Sequence, residues 1–393
     1  MPIDLAAAHQ RLWAWCRDRD FAGHDPFDAL NSKLFQSTPL KHSKLARLAA
    51  TQLFKRSPIN LRRFALVAPG KNSKAIALLA LAALADYRRQ RTKEAETQAR
   101  QLLDILLSMR LQGWSGAAWG YNFDWQSRMF FAPRGTPMIV PTAFAARALI
   151  EASKAFNDDV HLATARSTCD FILRDLRRSV ETEMEVCFSY SPHANTRIYN
   201  ASLLAAEVLA SVGSLTGETE LCNWAFKATY YVVRRQREDG AWAYGEDASQ
   251  TWIDNFHTAF VLSSLTRNVR HTPRNEDFQQ ALRRGYNFWS GSFFLADGSP
   301  KYYHDELYPV DAHAAATAIV ALADLREAVN DDALALADRI AHWSIENLRD
   351  PSGYFYYQRR RFFTIRTPFM RWSQAWMLYA LARLLEEKDA HRV

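Results

Sequence analysis

Five polar residues, Thr142, Asn200, His257, His313 and Gln374, recur at separations of 58, 57, 56 and 61 residues, each at the start of an Ala- and Leu-rich helical stretch. Gly- and aromatic-rich loops lie just upstream of most of them: GWSGAAWGYNFDW before Thr142, DGAWAYGED before His257, DGSPKYYHDELY before His313 and SGYFYYQRRRFF before Gln374. A period near 57 is too long for an ankyrin or tetratricopeptide unit and fits two helices plus one long loop. In a closed array each hairpin completes its neighbour's core, so 393 residues need not divide into two or three domains. The expectation is an all-α fold, an (α/α)6 barrel of six helical hairpins with long aromatic loops at one end.

Twelve helices follow from the apolar periodicity, at about 40 to 55, 72 to 90, 93 to 110, 139 to 156, 159 to 177, 199 to 214, 217 to 236, 254 to 270, 274 to 292, 310 to 328, 331 to 348 and 372 to 388. Six pairs result if the last helix joins the first. AHAAATAIVALADL is apolar nearly all round, whereas DALALADRIAHWSIENL carries one apolar stripe. The first helix of each pair therefore lines the inside and the second forms the outer ring. Short turns at Asn157-Asp158-Asp159, Thr216-Gly217 and Asn330-Asp331-Asp332 combine helix stops with N-terminal acids, leaving function to the long-loop end. Residues 1–39 read as a helix and a capping segment, and residues 40–393 as the barrel.

The net charge of +7 is spread among 42 acids without a basic arm, which points away from nucleic acid and leaves a weak attraction to anionic glycans or a membrane surface open. Cys16, Cys169, Cys187 and Cys222 lack metal or redox spacing and read as thiols in a reducing compartment. The N-terminus lacks a signal-peptide pattern, and no stretch reaches the length of a membrane span, so the expected location is cytoplasmic. No metal or cofactor is expected.

At the repeat starts an ordinary N-cap is the simplest role for Asn72, Asn200 and Asp254. His257 and His313 lie in register one turn into successive inner helices, and together they suggest an acid/base pair, with Tyr244 or Tyr190 assisting. Arg197 and Arg371 are candidates for holding a carboxylate or phosphate, with Arg128 similarly placed. Trp119, Tyr121, Trp242 and Tyr303 offer stacking surfaces for sugar rings, and Asn200, Asp311 and Gln374 offer polar contacts. A different chemistry would pair Asp124 with Asp254 or Glu246 as a glycosidase dyad.

Several stretches resemble the VpsJ type of polysaccharide-biosynthesis proteins: DPFDALNS (25 to 32), KRSPINLR (55 to 62), WGYNFDWQSR (119 to 128), SPHANTRIYNASLLAAE (191 to 207), WIDNFHTAFVL (252 to 262) and FFTIRTPFMRWSQAWML (362 to 378). The resemblance runs from residue 25 to the C-terminus and implies a role in capsule or exopolysaccharide assembly, with peripheral contact to membrane machinery. More distantly the toroid is similar to six-hairpin glycosidases, N-acylglucosamine epimerases, glucuronyl C5-epimerases and terpenoid cyclases. The chain lacks the DxDD motif of the cyclases, and the inner-helix histidines match the epimerases in kind. Three functions stay open: acid/base modification of a saccharide by epimerisation or β-elimination, glycoside hydrolysis, and glycan binding without turnover.

Overall fold

A computed structural model describes residues 4–271, 275–329 and 332–390. The turn expected at Asn330 and Asp331 lies outside the described residues. The helices are α1 Leu5–Arg17, α2 Lys33–Gln36, α3 Lys44–Arg56, α4 Ser73–Gln90, α5 Lys93–Ser108, α6 Ile139–Phe156, α7 Asp159–Asp170, α8 Tyr199–Thr216, α9 Thr219–Val233, α10 Asn255–His271, α11 Glu276–Phe293, α12 Ala312–Leu325, α13 Asp332–Leu348 and α14 Trp376–Ala390. Small antiparallel sheets decorate the loops: β1 Trp125–Gln126 with β2 Phe131–Ala132, β3 Arg178–Glu181 with β4 Val186–Phe188, and β5 Val310–Asp311, β6 Gln358–Arg359 and β7 Thr364–Ile365 in one sheet.

Helix composition decides which helices lie inside. Every residue of α12 and residues 73–86 of α4 are buried, as their predominance of Ala and Leu on all sides requires. In α5 only Ala95, Ala99, Leu102, Leu103 and Leu106 are buried, a single stripe at helical spacing. The inner ring runs α4, α6, α8, α10, α12 and α14, and α14 packs back on α4. The outer helices α5, α7, α9, α11 and α13 each back the inner helix that precedes them. The fold is thus the expected (α/α)6 barrel.

The sixth pair corrects the sequence reading. The helix expected at 40 to 55 forms as α3, but α1 is the outer helix that backs α14. Residues 18–72 then occupy the place of a long inter-repeat loop, and α3 stands at the cavity end instead of in the outer ring. Trp13 on α1 donates from Nε1 to Asp86 of α4 at 2.8 Å, tying this outer helix across the seam.

One contact repeats around the ring. The first N–H groups of a helix have no partner within the helix, and here a carbonyl in the loop leading to the next inner helix accepts one of them. Ile139 donates to the Tyr190 carbonyl (3.0 Å), Tyr199 to Tyr244 (3.3 Å), Asn255 to Tyr302 (2.9 Å) and Ala312 to Tyr357 (3.1 Å). At the seam Met370, which opens the π-helical turn Met370–Ala375 that leads into α14, donates to the His24 carbonyl at 3.0 Å, and at α4 the Ser73 hydroxyl donates to the Gly120 carbonyl at 2.7 Å. Each inner helix is thereby registered against the following loop, and residues 18–72 take their turn like the others.

Charged groups reinforce the seam and fill the opposite end. Arg371 binds both oxygens of buried Asp25 at 2.6 and 2.7 Å, and Arg62 reaches Asp28 and the Asp25 carbonyl. Away from the loops, Arg147 binds Glu207 at 2.7 and 2.6 Å while Arg267 binds Asp324, and Ser264 and Ser263 donate to the same two carboxylates. These pairs fill the barrel interior, so access is from the loop end. Such pairs add little net stability when intact but are costly to break, because the surviving charge stays buried. Asp25→Ala is expected to lose about 3 to 5 kcal/mol in denaturant unfolding. A loss below about 1 kcal/mol would show that the seam does not depend on this pair.

Candidate active site

The loop end opens into a cavity of about 450 Å³, a size suited to a small-molecule ligand. Of the residues singled out from sequence, His257, His313, Tyr244, Tyr190, Asp254, Tyr121, Arg128, Asn200, Tyr303 and Arg371 line it. Inner-helix N-termini and the aromatic loops between them converge here because the carbonyl contacts fix both in register.

Each histidine has one nitrogen committed. His257 Nδ1 lies 2.7 Å from Asp254 Oδ2, and the other oxygen of Asp254 accepts the His257 backbone N–H at 2.9 Å. Trp252 Nε1 donates to the same carboxylate at 3.1 Å. A carboxylate accepts, so Nδ1 carries a hydrogen, and in the neutral ring the lone pair is on Nε2. His313 Nδ1 meets the Trp372 carbonyl at 3.2 Å, which selects the same tautomer, and its buried Nε2 has no hydrogen-bond partner among the described residues. Burial, helped by the nearby Lys74 and Arg371 charges, holds His313 well below the usual imidazole range, so it is neutral at pH 7. Phe260 lies beside both imidazoles, with ring centroids 6.3 Å from His257 and 5.9 Å from His313.

Aromatic rings shape the walls. Tyr244 stacks on Trp252 at 4.6 Å and contacts His257 at 4.4 Å, while His313 stacks on Trp372 at 4.2 Å. Burial raises the phenols of Tyr121, Tyr190 and Tyr244 above the ordinary tyrosine value, so they stay protonated and can donate hydrogen bonds. The Asn200 side-chain oxygen is buried without a hydrogen-bond partner among the described residues. Asn200 sits within the first turn of α8 and not at the N-cap position, unlike Asn72 and Asp254, whose side chains do cap.

Cations line the cavity as well. Lys74, in the first turn of α4, lies 4.5 Å above Phe144 and 4.9 Å above Phe260, and burial, followed by repulsion from Arg371 and Arg147, drives its pKa well down. Lys55 of α3 points its ammonium at the Phe27 and Trp372 rings, at 4.7 and 5.6 Å. Burial among these rings lowers it to about 8, Asp311 opposing and Arg56 and Arg360 adding to the shift. Arg128 lies at the exposed rim with its guanidinium 5.7 Å from the Trp252 ring centroid.

Other expected site residues serve the scaffold. Trp119 and Trp242 are buried and donate to the Leu106 and Val232 carbonyls at 2.8 and 2.9 Å, so neither presents a stacking face. Gly285 on α11 makes room for Trp242, since a Cβ there would sit 2.5 Å from its ring. Gln374 clamps the Phe355 N–H and carbonyl at 2.8 and 2.7 Å, and Thr142 does the same at Trp119. Asp124 accepts the Arg134 N–H at 2.7 Å outside the cavity, and Glu246 pairs with Arg197 and Arg235 away from it. Arg371 reaches the cavity, but Asp25 occupies its guanidinium. Asp311 is fully buried behind the wall, accepting from Gln358, Trp372 and the His313 N–H, and burial raises its pKa to about 6.

Lys55, Trp252 and Trp372 line the cavity yet were not singled out from sequence, whereas Lys74 follows from its place at the start of an inner helix. The signal was present for Trp372, two residues before Gln374, but nothing in the local pattern separates Lys55 from the other cations of its helix.

A six-hairpin toroid with one aromatic, cation-lined cavity at its loop end is the class that fold and site define. No family model matches the sequence, and no curated protein matches it. Solved structures share the fold. Cellobiose 2-epimerase from Bacillus thermoamylovorans B4167 superposes with a TM-score of 0.63 at 13% identity, over 81% of this chain and 88% of that one. The GH76 α-mannanase BT2949 of Bacteroides thetaiotaomicron gives 0.63 at 12% identity, over 82% and 88%. An unsaturated glucuronyl hydrolase specific for heparin gives 0.59 at 15% identity, over 80% and 86%.

An amine with a pKa near 8 is half neutral at pH 8, where an ordinary lysine is less than about 1% neutral. Amine acylation followed by peptide mapping should therefore show Lys55 reaching half its maximal rate near pH 8. A midpoint near the ordinary lysine value would contradict the environment described.

Proposed function

We propose that this protein is a carbohydrate-active enzyme that moves a proton on a saccharide, by epimerisation or β-elimination, during assembly of a surface polysaccharide. The observation that carries the reading is the pair His257 and His313, each with Nδ1 held and Nε2 available on the same cavity. In this scheme a histidine Nε2 removes a hydrogen from a carbon next to a carboxylate or carbonyl. The electron pair moves onto the adjoining oxygen, where a cation or tyrosine hydroxyl stabilises it. Return of a proton gives the epimer, and departure of a β-substituent gives the unsaturated sugar. His313, neutral at pH 7, supplies the base, and Asp254 orients His257 as its partner.

The substrate would be anionic, a uronate or a phosphate-bearing sugar. This part rests on Lys55 and Arg128 at a cavity where, among the described residues, Asp254 is the lining carboxylate. The toroids of similar structure include a cellobiose 2-epimerase, a D-mannose isomerase and a glucuronyl hydrolase, which supports saccharide chemistry. The place in polysaccharide assembly comes from the sequence resemblance, and buried unpaired Cys16, Cys169 and Cys187 suit a cytoplasmic location. Hydrolysis by a carboxylate dyad is the weaker reading, because Asp124 and Glu246 do not line the cavity with Asp254.

Incubation in D2O with uronate-containing oligosaccharides tests the proposal. The expected result is loss of one ring C–H signal by NMR, slowed at least about 100-fold by His257→Ala and by His313→Ala. Wild-type exchange rates in both variants would refute the assignment, and release of a new reducing end without solvent deuterium in the sugar would favour hydrolysis.

A further inference from the structure

We infer that the face formed by α3, the segment that follows it and the β6–β7 tip docks on an anionic phospholipid bilayer. This inference is independent of the proton-transfer reading. Residues 29–85 contain ten Lys or Arg and no Asp or Glu. Within that run α3 is an unusual helix, with Thr51 its one buried residue. Leu45 is 78% exposed and Phe64 73%, with Leu53 and Ile59 also open to solvent. The hairpin tip Arg359-Arg360-Arg361-Phe362-Phe363 adds Phe362, 87% exposed. Lys55 of α3 faces the Trp372 ring at 5.6 Å, Trp372 and Gln358 both donate to Asp311, and Arg360 of the tip donates to Gln358 at 3.1 Å, so the tip and α3 are neighbours.

The mixture selects the partner. Leu45, Leu53, Phe64 and Phe362 need an apolar phase, and exposed Lys44, Arg56, Arg63 and Arg361 among them need anions. The boundary between headgroups and acyl chains of an anionic bilayer supplies both within one surface. A polysaccharide supplies no apolar phase. A second copy of the chain meeting face to face would set cations against cations. The acids Asp247, Asp305 and Glu306 belong to the loops before α10 and α12 and not to α3 or the β6–β7 tip. Leu48 and Lys55 of α3 also line the cavity, so docking would set the mouth against the membrane, where a lipid-linked saccharide is presented.

The full chain should sediment with phosphatidylcholine vesicles that contain phosphatidylglycerol, stay in solution with phosphatidylcholine alone, and be released by high salt. A Leu45→Glu/Leu53→Glu variant and Phe362→Glu should each weaken binding at least tenfold with an unchanged thermal midpoint. Lys44→Gln and Arg361→Gln should each weaken it about fivefold, and they keep the test decisive if a glutamate variant fails to fold. The inference is overturned if the chain stays in solution with anionic vesicles, if it binds neutral vesicles equally, or if the folded variants bind like the parent. It is also overturned if sedimentation velocity without lipid shows a dimer that the glutamate variants disperse, since the face would then belong to a second copy.

Discussion

The N–H at the start of one inner helix, donated to a carbonyl in the loop that leads to the next, is the contact on which the molecule depends. A buried helix start that lacks such a partner costs about 1 to 3 kcal/mol, and four starts find it in the backbone carbonyl of a tyrosine. The same exchange that satisfies the backbone also fixes Tyr190, Tyr244 and Tyr302 relative to the helix ends, and these side chains wall the cavity. Scaffold and site are therefore set by one repeated bond. His24 and Arg371–Asp25 complete the ring where the chain has two ends instead of a continuous loop.

This arrangement explains what could be read from the residues. The recurrence near 57 residues placed the inner helices well because an all-round Ala and Leu pattern has few other ways to be buried, as α12 shows. It brought His257 and His313 together for the same reason. It misled at Trp119, Trp242 and Gln374, where a conspicuous residue at a repeat position holds a loop to its own helix. It also misassigned α1, because pairing across the seam depends on contacts hundreds of residues apart, such as Arg371 with Asp25. Buried pairs such as Arg147 with Glu207 join adjacent repeats, and helical periodicity does not reveal which charge meets which.

The electrostatics of the cavity follow from the balance between these captured and uncaptured charges. Arg371 is neutralised by Asp25, but Lys74 meets aromatic faces, and its position beside His313 disfavours an imidazolium there. His257 differs through Asp254, which holds its ring and tautomer. Two histidines in one cavity thus face unlike surroundings, the condition under which one fold can present distinct proton donors and acceptors.

The central claim is that these two histidines bracket the reacting carbon of a saccharide. A crystal structure with a bound uronate-containing oligosaccharide measures this most directly. The account predicts the Nε2 atoms of His257 and His313 within about 3 to 3.5 Å of the hydrogen-bearing carbon or the atom that receives its charge, with the anionic group at Lys55 or Arg128. A sugar seated outside the cavity, or one whose reactive carbon faces carboxylates with both histidines turned away, would contradict it.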